Sequence, residues 1–226
     1  EPGSMKKAMQ VLLNPWPVSI AKYYSEDMET ILRELNETNT FDVIHIDHLH
    51  MAHYQKCFDG IPCVLDEHNV EYRILERCAD VEKSLIKRII FQNQARKMKA
   101  FEKQQTQNSS TYLAVSKDDK ELLDGLGENH STGCVIPNGV DTEYFRFQDA
   151  KHKTQEEDAL VFTGSMDWFP NNDAAVYFCR DILPLIWKNN PNIKFYIVGK
   201  DPSTELKECA KGEDRIILTG RVDDVR

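Results

Sequence analysis

Histidine is concentrated in one short stretch of this chain, because four of its seven histidines lie between positions 45 and 53. If residues 42–46 form a strand, His45 and Asp47 share one of its faces and His48 begins the loop that follows. In a parallel sheet such loops border the ligand crevice, so a histidine there is well placed to act as a general base. The alternative is that these polar side chains only make local hydrogen bonds at the end of the strand.

The same stretch also allows a metal interpretation. Residues 45–48 fit the second half of the HxHxDH zinc motif of metallo-β-lactamase-type hydrolases, but the position of the first histidine in that motif is Val43. Two ligands without a third make a poor zinc site, and that hydrolase fold is built from β-sandwiches rather than alternating strands and helices. We therefore expect no bound metal, and a metallo-hydrolase is the least favoured alternative.

A second polar group follows the next predicted strand, residues 62–66, and faces the same edge of the sheet. It contains His68 and Asn69, whose side chains could bind a sugar hydroxyl or position an acceptor. Either residue could instead cap the helix that begins near residue 71.

A third candidate lies far along the chain, where residues 170–173 precede a predicted helix over 172–189 and lie near the strand end at Gly164. A helix amino terminus beside a glycine-containing loop suits a diphosphate, although plain capping explains the same residues. Neither Gly164 nor Gly199 belongs to a GxGxxG or a Walker A sequence, which disfavours a dinucleotide-binding or P-loop protein.

Strand and helix patterns alternate along the chain. The predicted strands are 42–46, 62–66, 111–115, 133–136, 159–163, 194–198 and 216–218. Between them lie helical patterns, including a long one over 71–107 that we expect to break near 78–81 and one that Ser116 begins with a capping box. Strands separated by helices are typical of parallel βαβ units, so the predicted fold class is α/β with two Rossmann-like sheets.

The segment 135–141, Val-Ile-Pro-Asn-Gly-Val-Asp, divides the chain. We interpret Asn138-Gly139 as a tight turn, because both residue types tolerate positive φ. The predicted organisation is an N-terminal Rossmann-like unit over 1–139, a hinge and polar linker over 140–158, and the first part of a C-terminal Rossmann-like unit over 159–226.

Composition restricts the classes of partner. The chain has 28 basic and 37 acidic residues, a formal net charge of −9, and no concentrated cationic face, which argues against nucleic acid. No run of about 18 apolar residues could span a membrane, so contact with a membrane surface would be peripheral. The six cysteines form no CxxC pair, which indicates a reducing, cytoplasmic compartment.

Both predicted sheets are incomplete for a Rossmann-like domain. The first has no strand before residue 42, and the second ends after three strands. A truncated parallel sheet leaves strand edges uncovered. We therefore expect an interior fragment of a longer protein, with association or strand exchange between copies.

Taken in order, these motifs resemble the retaining family 4 ("group 1") glycosyltransferases of the GT-B fold. The segments that carry the resemblance are FDVIH at 41–45, DEHNVE at 66–71, AVSKDD at 114–119, VIPNGVD at 135–141, FTGSMDWFPN at 162–171 and IVG at 197–199. The most specific of them is VIPNGVD, and the resemblance runs from about Pro17 onward. It implies two domains facing each other across a cleft, with the acceptor on the N-terminal domain and a nucleotide-sugar donor on the C-terminal one.

The resemblance also implies a reaction and its residues. A hexosyl-type sugar would pass from a UDP- or GDP-linked donor to a glycan or lipid-linked acceptor, with no cofactor. A histidine after an N-terminal-domain strand lies near the transferred sugar in this family; we assign that role to His48, with Asp47 as the alternative register. The other implied site residues are His45, His68, Asn69, Asn138 and Gly139 for substrate binding, and Gly164, Ser165, Asn171, Asn172, Gly199 and Lys200 for donor binding.

The chain departs from the family pattern on the donor side. Many relatives hold the diphosphate with a Gly-Arg and a Lys-Gly, whereas this chain has Gly164-Ser165 and Pro170-Asn171 at those places. The two-glutamate donor motif and the first glycine-rich loop of the family are absent from these residues. We therefore expect the chain to be inactive by itself, and the alternative is a non-catalytic GT-B-like module that binds carbohydrate or acts as a scaffold.

Overall fold

The computed structural model of the protein describes residues 13–127, 131–146 and 159–225. The chain divides into two compact units, Glu1–Gly139 and Val140–Arg226. Each unit contains one parallel β-sheet with helices between successive strands. The predicted α/β class with two parallel sheets is therefore confirmed, while most of the predicted linker, residues 147–158, lies outside the described residues.

The sheet of the first unit has four parallel strands in the order β1-β2-β3-β4. These strands are β1 Ile44–Asp47, β2 Cys63–Glu67, β3 Thr111–Ala114 and β4 Thr132–Val135. Along β1 the side chains alternate between the two faces of the strand, so Ile46 is buried whereas His45 and Asp47 are exposed. Polar side chains on one face of β1 therefore reach the carboxyl edge of the sheet.

Helices of the first unit cover the sheet and connect its strands. They are α1 Val18–Tyr23, α2 Glu26–Thr38, a 3-10 helix Leu49–Cys57, α3 Glu71–Val81, α4 Leu85–Asn108 and α5 Lys117–Asp124. The long helical pattern breaks at residues 82–84, just after the predicted position, where the Ser84 N–H donates to the Glu82 carboxylate at 2.8 Å. The predicted N-cap at Ser116 is confirmed, because Ser116 Oγ accepts a hydrogen bond from the Asp119 N–H at 3.0 Å, while the Asp119 carboxylate accepts from the Ser116 hydroxyl at 2.6 Å.

The core of the first unit fixes the start of the 3-10 helix. Leu49, which directly follows His48, is fully buried in one cluster with Leu65 of β2, Met98 of α4 and Tyr112 of β3. Burying a leucine side chain stabilises the fold by about 1.5–3 kcal/mol. The backbone on the C-terminal side of His48 is therefore anchored.

The sheet of the second unit has three parallel strands in the order β5-β6-β7. The strands are β5 Ala159–Thr163, β6 Lys194–Val198 and β7 Ile216–Gly220, and the helices are α6 Phe169–Tyr177, α7 Leu183–Trp187 and α8 Thr204–Ala210. Within the described ranges, no helix of either unit has the length and apolar character needed to cross a membrane.

The predicted single helix over 172–189 is wrong in two respects. It begins at Phe169, because Pro170 suits the first turn of a helix, where its missing N–H costs nothing. A π-helical turn, Phe178–Ile182, separates α6 from α7. The turn ends two residues before Pro184, which has no N–H to donate to the preceding turn and so interrupts the regular ladder.

The predicted tight turn at Asn138-Gly139 is also wrong. Neither residue adopts positive φ, and a Cβ added at Gly139 would meet no atom within 4 Å. The chain turns later instead, where the Asp141 carboxylate accepts hydrogen bonds from the N–H groups of Glu143 and Tyr144 at 3.0 and 2.9 Å. The aspartate therefore makes the turn that we assigned to the Asn-Gly pair.

Candidate functional site

The carboxyl edge of the first sheet brings the predicted acceptor-side residues together. Asp47 ends β1 and lies in register with Asp66 of β2. The His48 N–H extends the ladder by donating to the Asp66 carbonyl at 3.1 Å, and the chain then turns at His48 with φ of +81°. His48 therefore begins the loop after β1, as the sequence predicts.

The His48 imidazole contacts side chains from three parts of the chain. It stacks on His68, with ring centroids 5.2 Å apart and an angle of 17° between the ring planes. Its Nδ1 lies 3.0 Å from His50 Nδ1, and its Nε2 lies 4.0 Å from Glu71 Oε1. His68 Nε2 in turn lies 2.8 Å from Asp47 Oδ1. Asp47, His48 and His68, predicted separately, are thus one cluster.

His45 and Asn69 lie beside this cluster. His45 Nε2 is 3.4 Å from Asp66 Oδ2 across the two strands, and the Asn69 residue is exposed. The alternative that His68 or Asn69 caps α3 is wrong, because the N-cap position is Val70 and no N-cap side chain accepts a hydrogen bond there.

A buried carboxylate from another helix takes the place of that cap. Glu102 of α4 accepts hydrogen bonds from the N–H groups of Glu71 and Tyr72 at 2.9 and 3.1 Å. Sequence reasoning missed Glu102, although it follows the buried Met98 by four residues and the buried Ala95 by seven. That helical spacing places it on the buried face, so an acid at this position signals a buried partner.

Burial sets the protonation of the cluster. Burial lowers the pKa of His48. Burial and the neighbouring His48 together lower the pKa of His50 to about 4. Burial also raises the pKa of Glu67 and Glu71, and it raises that of Glu102 to about 8 despite the two N–H donors. At neutral pH the two imidazoles are therefore uncharged and each retains a lone pair, which can accept a proton or bind a metal ion.

Two described sets of side chains could share a metal ion. They are His48, His50 and Glu71, and Asp47, Asp66 and His68. His45 belongs to neither set, so the geometry does not join the two histidines that the HxDH motif of a metallo-hydrolase requires.

The predicted donor-side residues cluster at the carboxyl edge of the second sheet. Gly164 and Gly199 follow β5 and β6 and are in such close contact that a Cβ at Gly199 would lie 1.7 Å from the Gly164 carbonyl oxygen. Lys200 follows, and its Nζ lies 3.1 Å from the carboxylate of Asp167. Glycine at position 199 is therefore required by the approach of the two loops.

The two asparagines at the start of α6 have structural partners. Asn171 Nδ2 donates to the Ser165 carbonyl at 3.0 Å, and Asn172 Oδ1 accepts from the Ser203 N–H at 3.4 Å. Their backbone N–H groups both donate to the Trp168 carbonyl, at 3.1 and 3.2 Å. The backbone donors that we expected to face a diphosphate are thus engaged within the turn.

Comparisons with known proteins agree with this architecture. The model of Glycosyltransferase Family 4 matches residues 10–144, and that of Glycosyl transferases group 1 matches residues 157–226. No curated protein sequence matches the chain.

Two solved structures illustrate the fold. Sucrose-phosphate synthase from Thermosynechococcus elongatus is 14% identical with a TM-score of 0.59, and the match covers 89% of this chain and 52% of that protein. Anabaena HepE in complex with UDP-glucose is 13% identical with a TM-score of 0.56, over 85% and 51% of the respective chains. The chain thus spans about half the length of the structures it matches. Because the first family model covers more than half of the chain and the fold is that of the GT-B enzymes, this protein belongs to glycosyltransferase family 4.

Proposed function

We propose that the native protein transfers a sugar from a nucleotide-sugar donor to an acceptor. The observation that carries this proposal is the match of two glycosyltransferase family models, in chain order, to residues 10–144 and 157–226. The acceptor would be a glycan or lipid-linked saccharide bound at the carboxyl edge of the first sheet. A cytoplasmic location is part of the proposal and is supported by the six free cysteines.

His48 is the residue that we place beside the transferred sugar. Its ring is held by the stack on His68, and its Nε2 is too far from Glu71, at 4.0 Å, for a hydrogen bond. That nitrogen is the atom we assign to a substrate hydroxyl. Asp47 is the alternative, because its side chain is 76% exposed while it holds His68.

The surrounding polar groups have supporting roles in this proposal. His45, His68 and Asn69 would bind acceptor hydroxyls at the same edge of the sheet, and the exposed Asn138-Gly139 segment would contact the substrate through its backbone.

The donor would bind over the loops that follow β5 and β6. We assign its diphosphate to Gly164, Ser165, Gly199 and Lys200, with Asn171 and Asn172 holding those loops in place through their hydrogen bonds. UDP-glucose is the first donor to test, because HepE was solved with that ligand; a GDP-linked hexose is the second.

Saturation-transfer difference NMR on the native protein tests donor binding. We expect saturation of protein signals to reach the base protons of one donor and to be lost when the matching nucleoside diphosphate is added in excess. Absence of transfer to both UDP- and GDP-linked sugars would contradict the proposal.

A non-catalytic carbohydrate-binding or scaffold module is the second candidate. It is favoured by Ser165 and Asn171 at the places where relatives have cations, and by the pairing of Lys200 with Asp167. Donor binding without release of nucleoside diphosphate in the presence of saccharide acceptors would favour this module over an enzyme.

A further inference from the structure

We propose that the protein binds a first-row transition-metal dication, with Zn²⁺ as its probe, through His48, His50 and Glu71. This site goes beyond the proposed sugar transfer and does not depend on it. One ring nitrogen from each histidine and one carboxylate oxygen of Glu71 all lie within 4.8 Å of one another. Three protein ligands that leave a fourth position open are typical of zinc sites that also bind water or substrate.

The two imidazoles are spaced as ligands of one ion. His48 Nδ1 and His50 Nδ1 lie 3.0 Å apart. Two nitrogens that each bind a tetrahedral zinc ion at about 2.0–2.1 Å are about 3.3 Å apart. An ion could therefore replace the present contact between the nitrogens with a shift of a few tenths of an ångström.

The backbone at the three proposed metal-binding residues is anchored by neighbouring contacts. His48 and His50 flank Leu49, which is fully buried. Glu71 opens α3, and its N–H is held by Glu102 at 2.9 Å. The ordering of the backbone that a metal site requires is thus largely present.

The ligand types select the class of ion. Imidazoles with one carboxylate suit Zn²⁺, Co²⁺, Ni²⁺ or Cu²⁺, whereas Ca²⁺ and Mg²⁺ take oxygen ligands. The neighbouring set of Asp47, Asp66 and His68 is more exposed, and its His68 already pairs with Asp47 at 2.8 Å. That set therefore serves as the matched control.

Zinc chloride titration calorimetry on the intact chain tests the site. We expect one equivalent of Zn²⁺ per wild-type chain. Loss of a direct ligand should weaken binding by at least about 100-fold, since even outer-shell partners contribute 10- to 100-fold. His50→Ala and Glu71→Gln should each show this loss, while Asp66→Asn, in the neighbouring set, and Cys134→Ser, which removes an exposed thiol, should bind as wild type does.

The outcomes are distinct. The proposal is overturned if wild type binds no zinc, if His50→Ala binds zinc unchanged, or if binding is lost in Asp66→Asn or Cys134→Ser. If either ligand variant fails to fold by circular dichroism, Co²⁺ spectroscopy of the wild type and of Asp66→Asn decides. Ligand-field bands in both proteins without a thiolate charge-transfer band support the site; a thiolate band, the absence of bands or their loss in Asp66→Asn contradicts it.

Discussion

Glu102 accepts a hydrogen bond from the backbone N–H of Glu71 at 2.9 Å, across 31 residues of sequence. Its second oxygen accepts from the Tyr72 N–H at 3.1 Å. One buried carboxylate of α4 therefore caps α3 and positions the segment that follows His68. The edge of the site therefore depends on a residue of another helix, through the backbone that it holds.

Replacing Glu102 with leucine should destabilise the protein by about 2–5 kcal/mol, because two buried N–H groups lose their acceptor. Urea unfolding followed by circular dichroism measures the change. Gln104→Leu, at an exposed position of the same helix, is the control and should change the free energy of unfolding by less than about 0.5 kcal/mol. Equal losses in the two variants would show that the cap contributes nothing.

His48→Ala should lower sugar transfer by about 10²- to 10⁴-fold if the imidazole acts as a proton acceptor or donor. Release of UDP from UDP-glucose by the native protein is the measurement, with circular dichroism as the check on folding. His152→Ala, in the predicted linker, is the matched control and should retain activity. Unchanged turnover in His48→Ala would remove this residue from the mechanism.

Glu29 should contribute acid-sensitive stability. Hydrogen bonds from Lys56 and Arg33 lower its pKa from the usual 4.5 to about 2, so folding favours the ionised form. The stability that ionised Glu29 contributes is fully present above pH 4.5 and is lost as the pH falls through about 2. The difference in free energy of unfolding between wild type and Glu29→Gln should therefore be larger at about pH 7 than at about pH 3. A difference that does not vary with pH would contradict this assignment.

Two glycines should respond oppositely to alanine. Gly199→Ala places a Cβ 1.7 Å from the Gly164 carbonyl oxygen and should destabilise the second unit by about 1–3 kcal/mol or more through overpacking. Gly139→Ala meets no atom within 4 Å and should be neutral or stabilising by up to about 1 kcal/mol, because alanine restricts the unfolded chain. Thermal unfolding of both variants is the test, and a destabilising Gly139→Ala would contradict this expectation.

The strands could be predicted from sequence because local patterns determine them. Short, mostly apolar runs that end at glycine placed β5 and β6 at their observed bounds. The position of His48 at the end of β1 followed from the same pattern. The same local patterns also gave one wrong prediction. They assigned the turn to Asn138-Gly139, whereas the Asp141 carboxylate makes it.

The remainder of the site could not be predicted, because it depends on contacts between distant segments. Neither His50 nor Glu71 lies in a recognisable ligand motif, and they meet at His48 only because the tertiary fold brings the first residue of α3 to the loop after β1. The burial of Glu67 without a hydrogen-bond partner among the described residues likewise arises from packing. Sequence alone gives the residue types at each strand end, and the tertiary fold decides which of them meet.

At position 48 the backbone conformation disfavours every residue except glycine, whereas the proposed function requires the histidine side chain. A residue other than glycine at φ of +81° and ψ of 135° is strained by on the order of 1–3 kcal/mol, and glycine adopts such angles freely. Laboratory evolution selected for survival at high temperature alone would therefore favour glycine here and discard the imidazole. A homologue that keeps histidine at this place while tolerating the strain has retained it for the side chain.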